Sequence, residues 1–225
     1  NLPVVGKMRT AIGREMSWLR MERYIEGKGD DHETRFTPML CQHCGNAGCE
    51  TVCPVYATYH NPEGLNAMVY NRCVGTRYCS NNCAYKVRRF NWFDYEFQSP
   101  LDQQLNSTIT TREVGVMEKC TFCVQRINNA KHDANNLGRD LEDGEVMTAC
   151  QQTCPTKAIT FGNLMDPESQ VSKQALRNDQ ENRDRQYEVL AELNYKPAIT
   201  YLKKVNTREI DDHYSSDHGN ENQKN

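Results

Sequence analysis

The sequence predicts an α+β fold, built of paired strand-loop-helix-strand modules with helical extensions and insertions, and three observations carry that expectation. Eleven cysteines gather in three clusters instead of scattering along 225 residues. Two clusters close on the same Cys-Pro-x-x-Ala string ahead of a β-rich stretch: Cys53-Pro54-Val55-Tyr56-Ala57 before Thr58-Tyr59-His60, and Cys154-Pro155-Thr156-Lys157-Ala158 before Ile159-Thr160-Phe161-Gly162. Short strand candidates, Ala67-Met68-Val69-Tyr70 and Gly115-Val116-Met117, stand ahead of Cys73 and Cys120. The repeat predicts a strand, a ligand loop, a helix and a second strand, with proline fixing the turn after a run's last cysteine.

Taken in order, residues 1–40 are expected to pack on the domain that follows, with Met16, Trp18, Leu19, Met21 and Tyr24 as a strand against its core. The first run reads Cys41-x2-Cys44-x4-Cys49-x3-Cys53-Pro54, a spacing that folds one segment around an iron-sulfur cube. In two-cluster ferredoxins three cysteines of such a run bind one cluster, and the fourth, before proline, reaches to the other. Each run therefore implies a partner. The second run, Cys73-Val74-Gly75-Thr76-Arg77-Tyr78-Cys79-Ser80-Asn81-Asn82-Cys83, would be C-x2-C-x2-C-x3-C if position 76 were cysteine; it is threonine. The third opens at Cys120-Thr121-Phe122-Cys123, is interrupted by residues 124–149, and closes with Cys150-x3-Cys154-Pro155. Residues 41–162 are thus expected to form a ferredoxin-like cluster domain of paired βαβ modules. A helical extension is expected over 163–205. Asp166-Pro167-Glu168 reads as a helix start that Val171 to Leu176 continues, and a second helix is expected from Arg185 to Asn194, stopping before Pro197. Residues 206–225 are nearly all polar and read as disordered or partner-bound, with His213 and His218 simply solvated.

Composition bounds what this fold can do. With 37% hydrophobic residues and a mean hydropathy of -0.82, the apolar core must be modest. Metal ligation has to supply stability, so residues 41–160 are expected to be largely unfolded without it. A net charge of -3 gives no sign of nucleic-acid binding. Lys86, Arg88 and Arg89, interleaved with Tyr85, Phe90, Trp92 and Phe93, read as a packed, snorkelling surface strand, with a partner-protein contact as the functional rival. No stretch reaches the length of a membrane-spanning helix, so membrane association needs a partner. There is no Gly-rich phosphate loop, no Cys-His nucleophile pair with a base and no paired carboxylates. His43 reads as a hydrogen-bond donor to cluster sulfur or a packing residue. The chemistry indicated is electron relay, with catalysis in partners. A structural zinc protein is the rival, since C-x2-C pairs also hold zinc; runs of four ending in Cys-Pro weigh against it. A disulfide scaffold fits poorly with an odd count of cysteines.

The order of these runs resembles the four-cluster iron-sulfur subunits of molybdopterin oxidoreductases, over residues 1–205. Within that group, Pro3-Val4-Val5-Gly6-Lys7, Gly13-Arg14-Glu15-Met16, and Val74 to Cys83 through Arg88-Arg89-Phe90-Asn91-Trp92-Phe93 resemble the B subunit of bacterial alternative complex III. The resemblance implies that Cys41, Cys44, Cys49 and Cys83 hold a 4Fe-4S cluster and that Cys53, Cys73 and Cys79 hold the one facing Thr76. Cys120, Cys123 and Cys150 would hold a third cluster short of its fourth thiolate, and Cys154 would serve a fourth. Family members carry a further run upstream that supplies the missing ligands, so the native chain is expected to continue before Asn1. Up to three 4Fe-4S clusters are implied. A threonine hydroxyl ligates soft iron poorly, so the Thr76 site is expected to be 3Fe-4S, against a 4Fe-4S cluster with water or another residue at that corner. The resemblance also implies a quinol-binding integral membrane subunit and a multihaem cytochrome c as partners, on the periplasmic side of the inner membrane. A molybdenum reductase subunit is the alternative.

Overall fold

The computed structural model describes residues 11–28, 31–94, 96–175 and 185–204. Their strands pair into four two-stranded antiparallel sheets joined by short helices, a mixed α+β arrangement. The first is a ribbon of β1 (Arg20–Lys28) and β2 (Asp31–Met39), with Arg20 opposite Met39. The N-terminal strand expectation thus holds from Arg20 onward, while Met16, Trp18 and Leu19 precede the strand. The ribbon does not lie flat on the core. Ile25 is 70% and Phe36 61% exposed, and Met21 and Tyr24 are exposed too. Its base is anchored, where Met39 and Thr37 are buried and the Arg20 guanidinium donates to the carbonyls of Tyr85 and Lys86, both at 2.7 Å.

Beyond the ribbon the three cysteine runs build the interior. Three short helices, α1 (Gly48–Thr51), α2 (Tyr78–Asn81) and α4 (Ala149–Thr153), each carry one cysteine: Cys49, Cys79 and Cys150. After α1 comes the hairpin of β3 (Thr58–His60) and β4 (Asn66–Met68). After α2, β5 (Arg89–Phe90) pairs with β6 (Met117–Glu118). The insertion between Cys123 and Cys150 holds α3 (Val124–Asn136), by far the longest helix described. The strand candidates therefore sit one or two residues from their expected places, with a 3-10 turn at Tyr70–Arg72 ending the first early. Apolar packing is small. One cluster joins Met39, Cys41, Tyr85 and Val87, and a second joins Ala47, Cys49, Cys79 and Met117. Cysteines supply much of this core, because the thiols occupy the centre where a larger domain would place leucines.

Four expectations need correction. No strand follows Ala158, since residues 159–161 have no neighbouring strand to pair with among the described residues. Asp166 does not cap a helix: its carboxylate accepts the Glu168 N–H (2.9 Å) in a local turn. The cap is Ser169, whose hydroxyl accepts the Ser172 N–H (3.2 Å) to open α5 (Gln170–Gln174). The helix expected over Arg185–Asn194 is instead β7 (Gln186–Tyr187), paired with β8 (Tyr201–Leu202), and a 3-10 turn at Ala191–Leu193. Left-handed Leu190 and Asn194 flank that turn, and the chain is drawn down as a strap: Gly45 and Asn46 N–H donate to the Lys196 and Tyr195 carbonyls (2.8 and 3.0 Å) and Ala198 N–H to the Gln42 carbonyl (2.8 Å). Lastly, the basic stretch at 86–93 is no snorkelling surface strand, since Arg88, Val87 and Asn91 are buried. Leu176 and the polar tail 206–225 lie outside the described residues.

Gly75 shows how tightly the loops pack. It holds φ +76°, and an added Cβ would stand 2.5 Å from the Gly115 carbonyl oxygen. Gly75→Ala should destabilise the fold by about 1–3 kcal/mol from backbone strain alone, read as a lowered urea midpoint of the cluster-loaded protein; an unchanged midpoint would refute this packing.

Candidate iron-sulfur centre

The three ligand loops share one backbone device. The residue before Cys44, Thr76 and Cys123 is left-handed each time: His43 at φ 45°, Gly75 at 76° and Phe122 at 52°. Thr76 thus occupies the loop position that holds cysteine in the other two runs. Three residues past the last cysteine of each run the backbone turns left-handed again, at Tyr56, Lys86 and Lys157. There the N–H of each donates to the carbonyl of Cys53, Cys83 or Cys154. Left-handed backbone is uncommon in non-glycine residues and costs free energy, so its recurrence marks a conformation imposed by a shared task. The Cys-Pro-x-x-Ala repeat has its own reason: the Ala57 N–H reaches Cys53 Sγ at 3.2 Å and the Ala158 N–H reaches Cys154 Sγ at 3.4 Å. For Cys53, burial opposes ionisation, but the backbone N–H groups of Ala57, Val55 and Thr58 outweigh it and hold the thiol below its usual range. The Thr156 hydroxyl and then the Ala158 N–H do the same for Cys154.

All eleven cysteines are free thiols, and their mutual influence shows which stand together. Burial pushes Cys44 up to about 12, with Cys41, Cys49 and Cys83 adding to the rise. Burial likewise lifts Cys49 to about 11, with Cys41 and Cys83 contributing. Burial raises Cys79, with Cys73 and Cys53 as its thiol neighbours. A cavity lined by Cys53, Cys73, Cys79 and Thr76, with Met68 and Met117, lies at this second group. Burial drives Cys120 up to about 11, helped by Cys41 and Cys150, while the Ala149 N–H donates to Cys123 Sγ at 3.3 Å. Mutual influence therefore links Cys44 with Cys41, Cys49 and Cys83, Cys79 with Cys73 and Cys53, and Cys120 with both Cys41 and Cys150. Within these groups, among the described residues, no three His, Cys, Asp or Glu side chains converge as ligands of one ion.

Around the thiols lie buried polar groups that fit an anionic, sulfur-rich occupant. Arg88 is 3% exposed. Its Nη2 donates to Cys49 Sγ (3.1 Å), Thr58 Oγ1 (2.7 Å) and Asn66 Oδ1 (2.7 Å). Lys119 is 0% exposed and its Nζ donates to the Cys120 carbonyl at 3.0 Å. His43, 2% exposed, accepts the Asn66 N–H on Nδ1 at 3.1 Å and stacks on Phe122 at 3.9 Å. Burial, then the Lys119 charge, holds its imidazole well below the usual range. With Nδ1 accepting, the neutral ring carries its proton on Nε2, and that buried N–H has no protein acceptor among the described residues. An orphaned donor, two buried cations and clustered thiols are what cluster sulfides and thiolates require. The sequence points to His43 but not to Arg88 or Lys119; the one signal for Arg88 is its place between Val87 and Phe90, five residues past Cys83.

Grouped thiols, buried donors and a ferredoxin-like loop set define a 4Fe-4S dicluster domain, and residues 32–99 match the family of that description. The chain is 37% identical over 212 residues to the menaquinone reductase iron-sulfur cluster-binding subunit of Nitratidesulfovibrio vulgaris, covering 89% of this chain and 79% of that protein. It is 37% identical over 176 residues to the iron-sulfur subunit of a putative dimethyl sulfoxide reductase of Halobacterium salinarum, covering 78% and 58%. With an iron-sulfur subunit of the Hdr-like menaquinol oxidoreductase of Archaeoglobus fulgidus it shares 33% identity over 162 residues, covering 69% and 55%. The chain spans little more than half the length of the last two. It belongs to the iron-sulfur cluster-binding subunits of the menaquinol and molybdoenzyme oxidoreductases.

Raised thiols carry a sign. Cys44, Cys49 and Cys120 titrate at about 11–12, so they are protonated at neutral pH and each must release a proton to ligate iron. Cluster reconstitution should therefore acidify a weakly buffered solution and tighten as pH rises from about 7 to 9; pH-stat titration with iron and sulfide checks it, and a pH-independent uptake without proton release would contradict it.

Proposed function

We propose that this chain relays electrons one at a time through iron-sulfur clusters, from quinol oxidation toward c-type haems, in a respiratory complex of the alternative complex III type. What supports it is that thiols of separate runs influence one another, Cys83 acting on Cys44 and Cys49, and Cys53 on Cys79. Cys41, Cys44, Cys49 and Cys83 would hold one 4Fe-4S cluster. Cys53, Cys73 and Cys79 would hold the cluster in the cavity beside Thr76. Cys120, Cys123 and Cys150 would hold a third with a ligand from elsewhere, and Cys154 would serve a fourth, so the runs act as paired ferredoxin-like modules. When bound, such clusters accept and return single electrons. The chain's own residues supply the rest. Burial shields Cys41, Cys49 and Cys79 from water, His43 Nε2–H offers a hydrogen bond, and Arg88 sets a positive charge beside Cys49. The Thr76 hydroxyl leaves its corner without a thiolate, which favours 3Fe-4S there and makes that site the first acceptor from quinol.

Partners follow from the family. No helix among the described residues is long and apolar enough to cross a membrane; a quinol-binding membrane subunit and a multihaem cytochrome would flank this subunit on the periplasmic side. The dimethyl sulfoxide reductase relative supports a second reading, an electron-transfer subunit of a molybdenum reductase. Co-purification with c-type haem and not with molybdenum favours the first; molybdenum without haem favours the second. For either, the anaerobically purified protein should be brown and contain iron and acid-labile sulfide, and a colourless, iron-free sample would end both. Thr76→Cys should raise iron by about one atom per chain and abolish the EPR signal of the oxidised three-iron site; unchanged iron and signal would refute the three-iron assignment.

A further inference from the structure

We infer that Arg88 and Lys119 are fixed counter-charges with separate addresses, Arg88 raising the reduction potentials of the centres held through Cys49 and Cys79 and Lys119 raising that of the centre opening at Cys120. The inference rests on the reading that these thiols hold clusters, and goes beyond it by assigning two residues that ligate nothing.

Both cations are buried. Neither makes an ion pair with a carboxylate among the described residues. An unpaired buried charge is costly, so a fold that keeps two of them needs an opposite charge close by. Beside Arg88, among the described residues, the candidates in direct contact are sulfurs, the Glu50 carboxylate being reached only through the Asn66 amide. One amine, Nη2, lies 3.1 Å from Cys49 Sγ, and the same guanidinium acts by hydrogen bonding and charge on Cys79. Cys49 stands in the 41/44/49/83 set and Cys79 in the 53/73/79 set, so one side chain faces both. Thr58 and Asn66, at 2.7 Å, hold the fork in place. Arginine suits the position because its planar fork presents N–H donors at once to Cys49 Sγ, Thr58 Oγ1 and Asn66 Oδ1.

Lys119 is addressed differently. It is tied to the Cys120 carbonyl and its charge reaches Cys120, where Arg88 does not figure among the main influences, while His43 between them feels both cations. Reduction of a cluster adds one negative charge, and a fixed positive charge in a medium of low dielectric constant favours that state. Each cation therefore makes its own centres easier to reduce and leaves the other's nearly unmoved.

The test is a crossover, read by redox titration with EPR on the cluster-loaded full-length protein, with iron content measured in parallel. Arg88→Met should lower the potentials of two centres by at least a tenfold change in the reduction equilibrium, about 59 mV for one electron, and leave the third in place. Lys119→Met should do the reverse. Asn66→Asp, which sets a carboxylate against the guanidinium without removing it, should reproduce the Arg88→Met pattern, and Arg88→Lys should keep the potentials nearer to wild type than Arg88→Met does. If Arg88→Met loses its clusters, Asn66→Asp and Lys119→Met decide. Unshifted potentials, a uniform shift of all centres, or loss of clusters in every Arg88 and Asn66 variant would overturn the inference by leaving only a packing role. An iron-free wild type would instead sink the electron-relay reading itself, and this inference with it.

Discussion

Sulfur at the centre of the fold, in place of hydrocarbon, is the constraint on which everything else depends. Two small apolar clusters, rich in cysteine, organise the core of the described residues. Buried among the same residues are Gln42, His43, Asn66, Arg88 and Lys119. Burying that many polar groups is unfavourable unless each finds a partner. Some do so within the protein, but His43 Nε2 does not among the described residues, and there the two cations make no ion pair with a carboxylate. Such an interior suits ionised thiols and inorganic sulfide, and in small metal-binding domains ligand binding of that kind couples to folding.

That coupling explains why the backbone carries so much left-handed conformation outside glycine. His43, Phe122, Tyr56, Lys86 and Lys157 all adopt it, each at a cost that a hydrocarbon core would have no reason to bear. The turn it produces aims successive N–H groups and thiols inward, as the Ala57 and Ala158 N–H contacts to Cys53 and Cys154 illustrate. Around the first loop the cost is shared with a distant element: the strap at 194–198 hydrogen bonds Gly45, Asn46 and Gln42. Tyr195 also packs over Gly48, where a Cβ would stand 2.9 Å from its ring.

The portion of this architecture legible in the sequence is the portion whose physics is local. Ligand spacing is local, since a loop of fixed length must return each thiol to the same region. The short strands beside the ligands are legible within two residues because they border those loops. The ribbon partner Asp31–Met39 is not, because its polar sequence lacks an apolar alternation and its pairing with β1 alone makes it a strand. Gln186–Tyr187 has helical neighbours in sequence but is claimed by Tyr201–Leu202, a tertiary choice that propensity does not encode.

Arg88 shows most clearly where sequence reasoning stops. Read along the chain, a cation amid aromatic residues is a snorkelling surface group, because guanidinium in a core is prohibitive in most proteins. That rule assumes an apolar interior. In a sulfur-lined interior burial still opposes the Arg88 charge, but attraction to Cys49, Cys79, Cys41 and Cys83 together outweighs it. The basic stretch after Cys83 and the cysteine runs before it answer to one anionic centre. Spacing reveals the ligands of that centre, but its counter-charges emerge only when the chain is folded around it.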